Sequence, residues 1–163
     1  MAKKGRKTHY GYKEHIATDE NGLVLSLETT AANEHDSLKF EPLLEKANLP
    51  DRAKVYADKA YKSKKHDEIL TDRKLKNRIH HKAVKNKPLT NWQKKFNSRL
   101  SSFRYTVERT FGSKVLWFNA GVARYVGIIK THSQHILESI AYNLKRSPNL
   151  KMQQEAKNQL LKF

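Results

Sequence analysis

The stretch RAKVYADKAYKSKKHDEILTDRKL, residues 52–75, constrains the fold of this chain more than any other. Val55, Tyr56 and Ala57 form a short apolar run that stops at Asp58, and a helical pattern resumes near Ser63 with Ile69 and Leu70 inside it. Strand, carboxylate, loop and helix in that order are the parts of an α/β fold, in which sites gather at strand ends. A turn or capping role for Asp58 is the simpler local reading, so this carboxylate alone defines no site.

The flanking segments extend the same pattern. Residues 8–30, THYGYKEHIATDENGLVLSLETT, predict two β-runs: Tyr10, Tyr12 and Ile16 can share a face, and Leu23, Leu25 and Leu27 alternate with Val24, Ser26 and Glu28. DENG between them supplies the Asn-Gly turn signal of a hairpin. A helix follows through Leu38, Pro42, Leu43 and Leu44, with Asp36 or Ser37 as N-cap. Residues 71–99 are strongly cationic with little periodicity and read as an irregular or partly helical basic insertion. His80 and His81, being adjacent, do not point at one ion, which favours solvated or phosphate-facing histidines. Trp92 and Phe96 stand one helical turn apart, in position for local packing or, as the sharper alternative, for stacking on a base.

Leu100, Phe103, Val107 and Phe111 then recur at helical spacing, with Glu108 on the flank of their stripe beside Arg104, Arg109 and Lys114. The bland reading of Glu108 is an i,i+4 pair with Arg104. Residues 128–145 predict a further amphipathic helix through Ile129, Ile136, Ile140 and Leu144, ending before Pro148, and residues 148–163 form a polar tail.

Thirty-three Lys and Arg against sixteen Asp and Glu give a formal charge of +17, spread along the chain, which favours a polyanionic partner such as nucleic acid. With no cysteine, disulfides and thiolate metal sites are excluded and an intracellular location is allowed. No apolar run approaches a membrane span, and 163 residues suffice for one domain with a core.

Seven segments, KKGRKTHYGYKEHIATDENGLV, TTAANEHDS, VYADKAY, NKPLT, FRYTVERTFG, RYVG and IAYNLKR, occur in an order that resembles the DDE transposases of bacterial insertion sequences, across roughly residues 3–147. The resemblance implies a ribonuclease H-like α/β core, a mixed sheet flanked by helices. It implies two divalent ions, Mg²⁺ or Mn²⁺, for attack on a DNA phosphodiester and then strand transfer. On this resemblance Asp58 is the second family aspartate and Glu108 the glutamate, both catalytic and both metal ligands, and Arg104 matches the Arg that precedes the glutamate. DNA contacts are expected from Arg104, Arg109, Lys114, Lys59, Lys82, Lys85 and Lys87.

Two positions depart from the pattern: Ser101 stands where many members have tyrosine, and Lys114 represents the trailing basic residue at a slightly different spacing. The first family aspartate lies on the strand before YGYKEH, where this chain begins; neither Asp19 nor Asp36 fits its role. The expectation is therefore the carboxy-terminal part of a transposase, truncated at its amino-terminal strand, from a split reading frame or a shortened element. Residues 1–147 would be a partial catalytic domain, with an upstream-encoded segment as possible partner. The complete enzyme would be a homo-oligomer on transposon ends and target DNA in the bacterial cytoplasm, associated with the nucleoid. A catalytically inactive nucleic-acid-binding remnant is the alternative.

Overall fold

The computed structural model describes residues 2–4, 7–9, 11–84 and 88–160. Tyr10, Lys85 and Lys87 lie outside the described residues. The order is β1 (Ala2–Lys4), β2 (Lys7–His9), β3 (Tyr12–Thr18), β4 (Val24–Ala31), α1 (Phe40–Ala47), β5 (Lys54–Ala57), α2 (Lys64–Asp72), β6 (Lys76–Ile79), α3 (Asn91–Phe118) and α4 (Ile128–Leu160). The architecture is mixed α/β, and among the described residues the strands pair two by two: β1 with β2 and β3 with β4 antiparallel, β5 with β6 parallel. Among the described residues these pairs form three separate two-stranded sheets. A tight turn closes β3–β4, and the α2 crossover closes β5–β6.

The β3–β4 hairpin is fixed at its turn by Asp19, whose carboxylate accepts from the N–H groups of Asn21 at 2.9 Å and Leu23 at 2.8 Å. Gly22 takes φ +86, a conformation a side chain disfavours. Because Glu14 faces Thr29 and His15 faces Glu28 in register, alternate residues face opposite sides. On one side lies α1, where Ser26 donates to the Leu43 carbonyl at 2.8 Å. On the other lie α3 and α4. A hydrophobic cluster of Phe40, Leu44, Val55, Leu70 and Ile79 ties α1 to the β5–α2–β6 unit.

Local signals set several boundaries. Ser63 caps α2 by accepting from the His66 N–H at 3.1 Å. Thr90 and Gln93 form a reciprocal capping box at the start of α3. The N-cap before α1 is His35, capping a short 3₁₀ turn at Asp36–Lys39, rather than Asp36 or Ser37.

Three expectations are corrected. The basic insertion of residues 71–99, read as irregular or partly helical, is helical through the first turns of α3 and also holds a strand, β6, that was not expected. Helix α4 continues through Pro148 to Leu160, because its exposed course lets water take the Leu144 carbonyl that a proline leaves without a donor. Its apolar stripe also faces outward. Ile129 is 79%, Ile140 50% and Leu144 69% exposed, while Thr131, Gln134, His135, Glu138 and Ser139 are buried. That inversion follows from the polar face of the hairpin it meets: Thr29 Oγ1 lies 2.8 Å from His135 Nδ1, and Asn143 bonds both the N–H and the C=O of Val24 at 2.9 Å. Among the described residues no helix is long and apolar enough to cross a membrane.

Candidate active site

The end of β5 meets α3 through one aromatic contact. Tyr56 and Phe103 stack with ring centroids 3.9 Å apart and 17° between planes. Since Asp58 lies two residues after Tyr56 and Arg104 directly follows Phe103, this stack brings the strand-end carboxylate to the helix. Arg104 Nη1 lies 3.8 Å from Asp58 Oδ2, and Arg104 Nε donates to Glu108 Oε1 at 2.8 Å. One guanidinium thus pairs with two carboxylates that are fifty positions apart in the chain.

Both simpler local readings hold at the same time. Asp58 caps the turn Lys59–Tyr61, its Oδ1 accepting from the Lys59 N–H at 2.6 Å, and Arg104 with Glu108 is an i,i+4 pair. The side chains of Asp58 and Glu108 are 41% and 59% exposed, so these ion pairs contribute little to stability. An open groove of about 370 Å³ runs beside Glu108, lined by Tyr105, Arg109, Gly112, Ser113 and Leu116. Burial pushes the Tyr61 phenol up to about 12, and the nearby carboxylates of Asp36 and Asp58 add to the shift. Asp36 itself pairs with Lys13 at 2.8 Å. Among the described residues no three His, Asp or Glu side chains cluster as a metal site.

The cations expected on DNA that lie among the described residues differ in their surroundings. Lys59 and Lys82 are exposed, and Arg104 is occupied by the carboxylates. Lys114 is a correction: it is fully buried, paired with Glu14 and donating to Ser139 Oγ at 2.8 Å. Six residues beyond Glu108 on a helix point about 240° around the axis, toward the hairpin rather than toward β5. Arg109 is half-exposed beside the groove, its Nη2 donating to the Asn21 carbonyl at 2.9 Å. Sequence reasoning missed the contact between Arg104 and Asp58, for which the only signal was that Tyr56 and Phe103 are each aromatic and each adjacent to the site. His80 Nδ1 lies 3.0 Å from the Ala57 carbonyl, so it belongs to the β5–β6 junction.

The sequence matches the family described as Transposase DDE domain over residues 1–144, and the chain belongs to that family of DDE transposases of insertion sequences. It is 40% identical over 139 residues to the transposase for insertion sequence element IS1106 of Neisseria meningitidis serogroup B, covering 85% of this chain and 48% of that protein. The chain therefore spans about half the length of the curated relative it matches. No solved structure matches it.

Proposed function

We propose that this chain forms part of the catalytic core of a transposase that cleaves DNA phosphodiesters and transfers strands with divalent metal, and that Asp58 and Glu108 are its carboxylate ligands. The observation that carries this reading is the meeting of both carboxylates on Arg104, 3.8 Å from Asp58 and 2.8 Å from Glu108. A guanidinium between two accessible carboxylates marks a place where a cation is stabilised, and hard oxygen donors suit Mg²⁺ or Mn²⁺. The donor set fits such an ion in kind. Two ions in the complete enzyme would neutralise charge at the phosphodiester and make a bound water more acidic.

The chain's own residues do the rest. Asp58 and Glu108 hold the positive charge at the end of β5. Arg104 offsets the repulsion between them and can donate to a phosphate oxygen when DNA arrives. Lys59, Lys82 and the half-exposed Arg109, with Lys85 and Lys87, bind the DNA backbone; the buried Lys114 is not in this set. The β3–β4 and β5–β6 pairs are read as two parts of one ribonuclease H-like sheet. The complete enzyme then works as a homo-oligomer on transposon ends and target DNA at the nucleoid.

The test compares three proteins for cleavage of terminal-repeat DNA with Mg²⁺ or Mn²⁺. The isolated chain should be inactive, the chain with the upstream segment in cis should cleave, and Glu108→Gln or Asp58→Asn in that restored version should abolish cleavage. Cleavage that survives Glu108→Gln overturns the assignment. A restored protein that binds DNA and never cleaves it supports the alternative of a non-catalytic binding remnant.

A further inference from the structure

Trp92 is 64% exposed, an unusual place for an indole that already has ring partners. It stacks on Phe96 with centroids 5.3 Å apart and 21° between planes. His81 leans on both rings, 5.6 Å from Trp92 and 5.1 Å from Phe96, and the Arg78 guanidinium lies 5.9 Å from the Phe96 centroid. The backbone of His81 is clamped twice by Asn97, its N–H donating to Oδ1 at 2.8 Å and its carbonyl accepting from Nδ2 at 3.0 Å. Local packing along one helix explains the contact of Trp92 with Phe96. It does not explain why the segment after β6 is fastened across α3 to add a third ring while the indole stays in water.

The surroundings name the chemistry that would cover the indole. Lys95 and Arg99 follow Trp92 by three and seven residues and share its side of α3, and Lys82 follows His81. From Arg73 to Val107 the sequence carries no Asp or Glu. Aromatic rings interleaved with cations suit a nucleic acid strand whose bases stack while its phosphates meet Lys and Arg. In the interior of a paired duplex the base faces are already stacked on one another, so away from its two ends only an unpaired base can offer one.

Resting on the reading that this chain acts on DNA, we propose that Trp92, Phe96 and His81 form a stacking site for an unpaired nucleobase, with Lys82, Lys95 and Arg99 taking the flanking phosphates. The base lies against the indole, and α3 carries it on the same rigid element that bears Arg104 and Glu108.

The experiment uses the full chain with Trp117→Phe, which leaves Trp92 as the sole indole, and reads its fluorescence during titration with a short oligothymidylate or a blunt duplex of equal length. The single strand should quench Trp92. Trp92→Ala should weaken single-strand binding by about 5- to 100-fold, the worth of one stacked base. Affinity for the blunt duplex, set by phosphates, should change less than about twofold. Trp92→Leu keeps an apolar contact with Phe96 and should lose single-strand affinity as Trp92→Ala does, so a fold defect in one variant does not decide the result. Equal losses on both DNAs, or no loss on the single strand, overturn the proposal. The cleavage assay of the restored enzyme is independent: inactivity with normal quenching counts against the metal site alone, and cleavage without quenching counts against the stacking site alone.

Discussion

Replacing Lys114 with methionine should destabilise the fold by about 3–5 kcal/mol, the range for removing one partner of a buried ion pair. The side chains of Lys114 and Glu14 are 0% and 9% exposed, so neither can turn to water when the other is lost. Without the ammonium, the partner left to Glu14 among the described residues is the Ser139 hydroxyl, 3.4 Å away. At about 2.1 cal/mol/K per residue, unfolding of 163 residues carries an entropy near 0.34 kcal/mol/K, so the melting temperature should fall by about 9–15 °C. Urea unfolding followed by circular dichroism gives the free energy, and a thermal melt checks it. The double variant Glu14→Gln with Lys114→Met should recover much of the loss, because the stranded charge is what destabilises. A Lys114→Met protein of unchanged stability with weakened DNA binding would refute this reasoning and return Lys114 to the surface where the sequence pattern puts it.

Burial holds the His15 and His135 imidazoles below their ordinary value. The unfolded chain takes up these protons first as pH falls, so stability is complete above about pH 6.5 and declines below it; melting curves across that range check the sign, and His135→Asn should flatten the slope. Gly22→Ala should cost more than about 1 kcal/mol, since a Cβ at φ +86 would meet Arg109 Nη2 and Thr110 Oγ1 at 3.0 Å; denaturant midpoints measure it. Binding to duplex DNA should weaken with salt at a log–log slope near −0.9 per neutralised phosphate, and an affinity constant from about 50 to 200 mM salt would remove the basic residues from the interface.

The hairpin, the start of α2 near Ser63 and the existence of α3 were legible because each has a local cause: Asp19 and Gly22 in the turn, Ile69 and Leu70 within α2, apolar spacing along α3. Strand β6 was not, since Lys76–Ile79 contains one apolar residue and owes its conformation to pairing with β5 and to burial of Ile79. The outward stripe of α4 was hidden for a related reason. Which face a helix buries depends on what it meets, and here it meets Thr29 and Val24 through His135 and Asn143. At the site, Asp58 and Glu108 could be named from motifs, whereas the contact of Arg104 with Asp58 depends on the stacking of Tyr56 on Phe103, a pairing across the fold that periodicity does not encode.

Whether Asp58 and Glu108 share a metal is tested most directly by replacing Mg²⁺ with Fe²⁺ in the DNA-bound protein and mapping where hydroxyl radicals cut the polypeptide. A shared ion predicts cuts near both Asp58 and Glu108, all lost together in either Asp58→Asn or Glu108→Gln. Cuts near one residue that persist when the other is replaced, or no localised cuts at all, would contradict it.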